Sequence, residues 1–128
     1  MHKERPIVKI ENKPNIHLEI ELFQNKVLRP ILKMQHDLIL CVFNEHIHKL
    51  SIQWKGLMKG KQLECVDNQL TQNVQLKNTI IGMIIGQLNE SEIEQYFINS
   101  RDYNKRIIRM SIQTVSYTHL TLPTIYSV

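Results

Sequence analysis

Cysteine, glycine and long apolar runs are all scarce in this chain, and each scarcity removes a class of function. Only Cys41 and Cys65 occur among 128 residues. A disulfide framework needs more cysteines and a secreted setting, so both read as free thiols buried on apolar, helix-like stretches. Of four glycines, Gly82 and Gly86 lie inside an apolar helical run rather than a loop, which excludes a phosphate-cradling turn there. The most apolar stretch, Thr79 to Leu88, falls far short of the roughly 20 residues that span a bilayer. No signal peptide stands at the start: Met1 to Asn15 is polar and charged, broken by Pro6 and Pro14. The catalytic vocabulary is equally thin, with no Ser-His-Asp, Cys-His or paired-Cys zinc spacing. A cytoplasmic, bacterial-type protein with no membrane contact and no cofactor is the expectation.

What remains is helical periodicity. Residues 1–15 read as a disordered basic arm, in which Lys3, Arg5, Lys9 and Lys13 outnumber Glu4 and Glu11. From Leu18 onward, Leu22, Phe23, Val27, Ile31, Met34, Leu38, Val42 and Phe43 recur three and four apart, the mark of one buried helical stripe. Pro30 interrupts this stripe and removes the hydrogen bond to the Lys26 carbonyl. A kink is expected there, or a break with a second helix running on to Lys49. Ser51 to Gly60, with the single tryptophan at Trp54, reads as a connection. Lys61–Gln72 follows as a weak helix with Leu63, Val66 and Leu70 inward, then Val74–Leu88 with Leu76, Ile80, Ile81, Ile84 and Ile85. Asn89-Glu-Ser-Glu92 has the cap-then-acid spacing of a helix start. It opens a short helix that turns Ile93, Tyr96 and Phe97 inward. Ser100 or Asp102 can cap a last helix from Tyr103, with Ile107, Met110 and Ile112 on its apolar side. The pattern predicts an all-α fold, a small bundle of four to five helices over residues 16–113.

Three clusters could carry function. Asp37, Cys41, Glu45 and His48 stack on one helix face at spacings of four, four and three. Glu45-His-Ile-His48 also matches the Glu-x-x-His element of carboxylate-bridged di-iron bundles. Such metal sites need a second pair of this kind, and no other Glu here has His three residues on, so a polar stripe is the simpler reading. Gly82 and Gly86 form a small-x-x-x-small pair that lets another helix approach closely, a helix-packing role. Arg101, Lys105 and Arg109 stack at spacings of four on the last helix, with Arg106 beside them, as a nucleic-acid-contacting helix would. A helix-turn-helix would want a small residue where Glu94 stands and a turn glycine where Ile98 stands, so a solvated basic face is the alternative. The net charge of +4 permits nucleic-acid contact without requiring it. The leading expectation is a non-catalytic module that binds a protein partner or itself as a homo-oligomer. A nucleic-acid-associated protein is the second, and a metal-binding or lyase-type enzyme using Asp37, Glu45 and His48 the third.

The stretch Val115-Ser-Tyr-Thr-His-Leu-Thr-Leu-Pro-Thr124 resembles a translated sequencing adapter. In one frame the transposon end sequence reads GTC TCT TAT ACA CAT CTG ACG CTG CCG ACG, which encodes these ten residues without mismatch. The resemblance implies that residues 114–128 are an artefact of library preparation, unstructured and packed against nothing. It also implies a natural sequence truncated near Gln113, inside its last helix. The segment contains no Lys, Arg, Asp or Glu, so the net charge belongs to the rest of the chain. Separately, three stretches together (Leu28–Leu40, Leu76–Leu88 and Asn99–Ile107) resemble a group of small uncharacterised all-helical bacterial proteins, some of which carry the label glyoxalase. That resemblance implies a helical fold and no mechanism. A metal-dependent glyoxalase builds its site from His and Glu on strands, and no strand pattern stands before residue 114.

Overall fold

The computed structural model describes residues 16–121, and every regular element among them is helical. Helix α1 covers residues 16–23 and runs directly into a π-helical turn, Gln24–Leu28. Next come α2 (Arg29–Met34), α3 (His36–Lys49), α4 (Lys59–Gln72), α5 (Val74–Ile85), α6 (Glu90–Ile98) and α7 (Ser100–Thr121), with a short 3₁₀ turn at Trp54–Gly56. The expected four to five helices appear as seven segments because the first long rod is subdivided. No helix among the described residues is long and apolar enough to cross a membrane.

Pro30 does not break the rod. It sits in the first turn of α2, just after the π turn. The Arg29 N–H reaches back five residues to the Gln24 carbonyl. The chain thereby takes in an extra residue before the ring that would otherwise meet the preceding turn. The break falls at Gln35 instead, whose φ of −92° and ψ of 8° leave the helical region. Gln35 is held by its own side chain, which donates from Nε2 to the Met83 carbonyl of α5 at 3.1 Å.

The π turn and the break together rotate the buried stripe. Ile20, Phe23, Leu28, Leu32, Ile39, Leu40, Phe43 and Ile47 form it. Leu22, Met34 and Leu38, expected inward, are instead 44%, 62% and 55% exposed. Leu63 and Phe97 also turn outward against expectation. Cys41 is exposed rather than buried, Cys65 is half-buried, and both are free.

The helix ends follow local chemistry. At the end of α3 the Ile52 N–H bonds the Ile47 carbonyl at 3.4 Å and the Ser51 N–H bonds the His48 carbonyl at 3.0 Å, a Schellman arrangement. It places Ser51 at a φ of 58°, where glycine is the usual residue. Asn73 caps α5 by accepting from the Leu76 N–H at 2.9 Å. At α6 the expected capping box is present: Asn89 Oδ1 accepts from the Glu92 N–H, and Glu92 Oε1 from the Asn89 N–H, each at 2.9 Å.

Helix α7 is the axis of the bundle, and α2 through α6 all pack against it. Its inward row is Tyr103, Ile107, Ser111, Val115 and Thr118, all buried at spacings of four, four, four and three. The Tyr103 ring lies 4.7 Å from Phe23 and 6.2 Å from Tyr96, centroid to centroid. Ser111 returns its hydroxyl to the Ile107 carbonyl at 2.8 Å, so its complete burial leaves no unmade bond.

The unstructured, unpacked tail expected from residue 114 is corrected for residues 115–121. α7 continues through Thr121, and Val115 is fully buried. Thr118 is buried as well, its Oγ1 lying 3.1 Å from His36 Nε2 on α3. Val, Thr and Tyr are weak helix formers, but extending an existing helix is far easier than nucleating one. Val115 also stands four residues after Ser111, on the face already turned to the core. Residues 122–128, like the basic arm 1–15, lie outside the described residues.

Gly82 and Gly86, expected to let another helix approach, have no described helix of this chain against them. Gly82, on α5, and Gly86, just beyond its end, are both exposed. A Cβ on Gly82 would meet nothing within 4 Å, so no described helix lies over it. Gly86 caps α5 at a φ of −64°, and a Cβ there would stand 3.0 Å from the Gly82 carbonyl oxygen.

Candidate functional site

Helix geometry explains the main surface feature. Residues four apart differ by only about 40° around a helix, so Arg101, Lys105 and Arg109 form one row along α7. All three are exposed. They edge an open groove of about 780 Å³ between α4, α5 and α7, to which α5 contributes Lys77 and α4 contributes Asp67. Ile81, Ile108 and Ile112 give the groove an apolar floor. Among its lining residues four cations therefore face one carboxylate. None of the four enters an ion pair among the described residues. On the other flank of the row, a second hollow of about 610 Å³ brings Ile98 beside Arg101, Lys105 and Arg109.

Arg106 is a different kind of residue. Its Nε donates to Asp102 Oδ1 at 2.6 Å and its Nη1 to Gln24 Oε1 at 2.7 Å. The side chain is only 21% exposed. It clamps α7 to the π turn, so its guanidinium is engaged within the fold and not offered outward.

The polar stripe of α3 stays a stripe. Asp37, Cys41, Glu45 and His48 are all exposed. Cys41 and Glu45 edge a hollow of about 360 Å³ with His46, yet no three His, Cys, Asp or Glu side chains among the described residues converge as ligands for one ion. The histidines that make inward contacts are others. His46 Nε2 lies 2.7 Å from Gln69 Oε1 on α4, and His36 bridges Asp37 and Thr118 at 3.1 Å each. Their positions one residue from buried Ile47 and three from buried Ile39 were the available sequence signal. Burial pushes the Cys65 thiol above its ordinary value, which keeps it protonated and a poor nucleophile.

The glycine pair brings no described helix to this surface, and the apolar neighbour of the basic row, Ile98, was not expected. Phe97 and Ile98, at the end of α6, are 67% and 76% exposed. No family model, no curated protein and no solved structure matches this chain.

The division between clamp and surface predicts a division in stability. Arg106→Ala should lower the unfolding free energy by about 1–2 kcal/mol, through two lost charge-assisted bonds in a largely buried setting. Lys105→Ala and Arg109→Ala should each stay within about 0.5 kcal/mol of the parent, as exposed substitutions do. Urea titration followed by circular dichroism separates these outcomes, and equal costs at all three positions would refute the division.

Proposed function

We propose that this chain is a non-catalytic helical module that binds an acidic protein surface through the exposed side of α6 and α7. The observation that carries the reading is the row Arg101, Lys105 and Arg109, unpaired among the described residues and lying beside the exposed Ile98, with Phe97 exposed on the same helix end. Apolar side chains left in water next to charged ones are what a contact surface presents, with an apolar centre and a charged rim. A cytoplasmic setting is part of the proposal, supported by an exposed free thiol at Cys41, which a reducing compartment preserves. Nucleic-acid association is the second reading, favoured by the continuous row of cations along one helix.

Titration with two labelled probes tests both readings. One is an acidic amphipathic helical peptide with Glu on one face and Leu on the other; the second is a mixed-sequence DNA duplex. The peptide should bind, weaken with salt, and lose affinity with either Lys105→Glu/Arg109→Glu or Phe97→Ser. Tighter binding of the duplex, indifferent to Phe97→Ser, would replace the first reading with the second. Failure to bind either probe at low salt would remove both.

We also propose that the segment from Val115 is adapter-derived, on the strength of the unbroken codon match through Thr124. On this reading the burial of Val115 is an accident of helical phase. Sequencing the source gene across the Thr114 codon should show different codons beyond it; the same ten codons there would refute the proposal.

A further inference from the structure

We infer that the acidic partner of the α7 row is helix α6 of a second copy of this chain, the two copies pairing about a two-fold axis. This rests on the reading of the α6–α7 face as a contact surface and adds the identity of what covers it.

The outward face of α6 has the composition that the α7 row calls for. At about 100° per residue, Glu90, Glu94, Phe97 and Ile98 fall within a single arc of roughly 100°. All four are exposed. Glu92 is engaged in the capping box, whereas Glu90 and Glu94 enter no ion pair among the described residues. The face is therefore acidic at the start of the helix and apolar at its end. The α7 row is its complement in charge, with cations at Arg101, Lys105 and Arg109 beside the half-buried Ile112.

The two halves adjoin one another, since Ile98 shares its hollow with the α7 cations. Within one copy they do not satisfy each other: α6 and α7 are separated by Asn99 alone, and no ion pair joins Glu90 or Glu94 to the row. A surface with an acidic strip next to a basic one is complementary to itself in charge after a two-fold rotation. Each α6 then meets the other copy's α7, and the contact is made twice.

A second copy explains more of the face than a polyanion does. DNA or polyphosphate would neutralise Arg101, Lys105 and Arg109 but leave Phe97 and Ile98 in water. A second α6 covers both kinds of group. The driving force is the burial of these apolar side chains, and the charges steer orientation and encounter. One short helix per copy makes a small interface, so the association is weak and salt-sensitive.

Sedimentation velocity of the full chain tests this over a range of concentration and salt. The parent should show a monomer–dimer equilibrium with a midpoint in the micromolar range. Added salt should move that midpoint upward, and Phe97→Ser should do so by about tenfold or more. Glu90→Lys/Glu94→Lys and Lys105→Glu/Arg109→Glu should each be monomeric alone. Mixed in equal amounts they should associate, because both contacts of the mixed pair then join opposite charges. If Glu90→Lys weakens the start of α6, Glu94→Lys alone serves in its place, with circular dichroism confirming the helix. A parent monomeric at every concentration, a folded mixture that stays monomeric, or masses climbing beyond a dimer would each overturn the two-fold pairing. A monomer that still binds the acidic amphipathic peptide would remove only the self-pairing; a monomer that binds neither removes the contact-surface reading as well.

Discussion

Everything in this fold leans on the inward row of α7. Tyr103, Ile107, Ser111, Val115 and Thr118 are buried on a single face, and α2, α3, α4, α5 and α6 all close upon that helix. Each large apolar side chain in such a position stabilises the fold by about 1.5–3 kcal/mol relative to exposure. The polar members fit the same requirement because their hydroxyls find partners at Ile107 and His36. Burial pushes the Tyr103 phenol above its ordinary value; Gln95 opposes the shift, Asp102 and Glu19 add to it, and Arg106 opposes it. A phenol raised in the folded state keeps its proton there longer than in the unfolded chain. Its contribution is therefore complete below the unfolded value of about 10 and is lost as pH rises through the folded one.

Because α7 supplies the common wall, the other helices are free to be irregular. The rod from α1 to α3 widens at Gln24–Leu28 and breaks at Gln35, and each irregularity is tied down by a distant partner. Arg106 of α7 reaches Gln24, and Met83 of α5 receives Gln35. The same wall leaves α6 with only its inner side covered, through Tyr96 bonded to Asn104 and stacked on Tyr103. Its outer side, with Phe97 and Ile98, remains exposed.

Local signals were legible in the sequence and cumulative ones were not. The capping box at Asn89 and Glu92, the inward residues Val66, Leu70, Leu76, Ile80 and Ile84, and the α7 cation row each depend on neighbours within one or two turns. Three-four spacing finds such patterns directly. The stripe through Met34 and Leu38 went astray because one extra residue at the π turn shifts every later position, and nothing local announces it. Pro30 announces a difficulty without saying how it is resolved. Val115 went astray differently: propensity argued against a helix, whereas the phase of the preceding helix decided in favour. At the candidate site, Arg106 could not be told from its basic neighbours, since its partner Gln24 is 82 positions away.

Native-state amide hydrogen exchange is the most direct measure of whether α7 is the element on which the rest depends. The amides of Ile107 through Val115 should be the slowest in the molecule and should exchange only with global unfolding. Those of α6 and of the Gln24–Leu28 turn should open at lower free energy. If the α7 amides exchange faster than those of α3 and α5, or if protection stops abruptly at Thr114, the account of α7 as a continuous central axis is wrong.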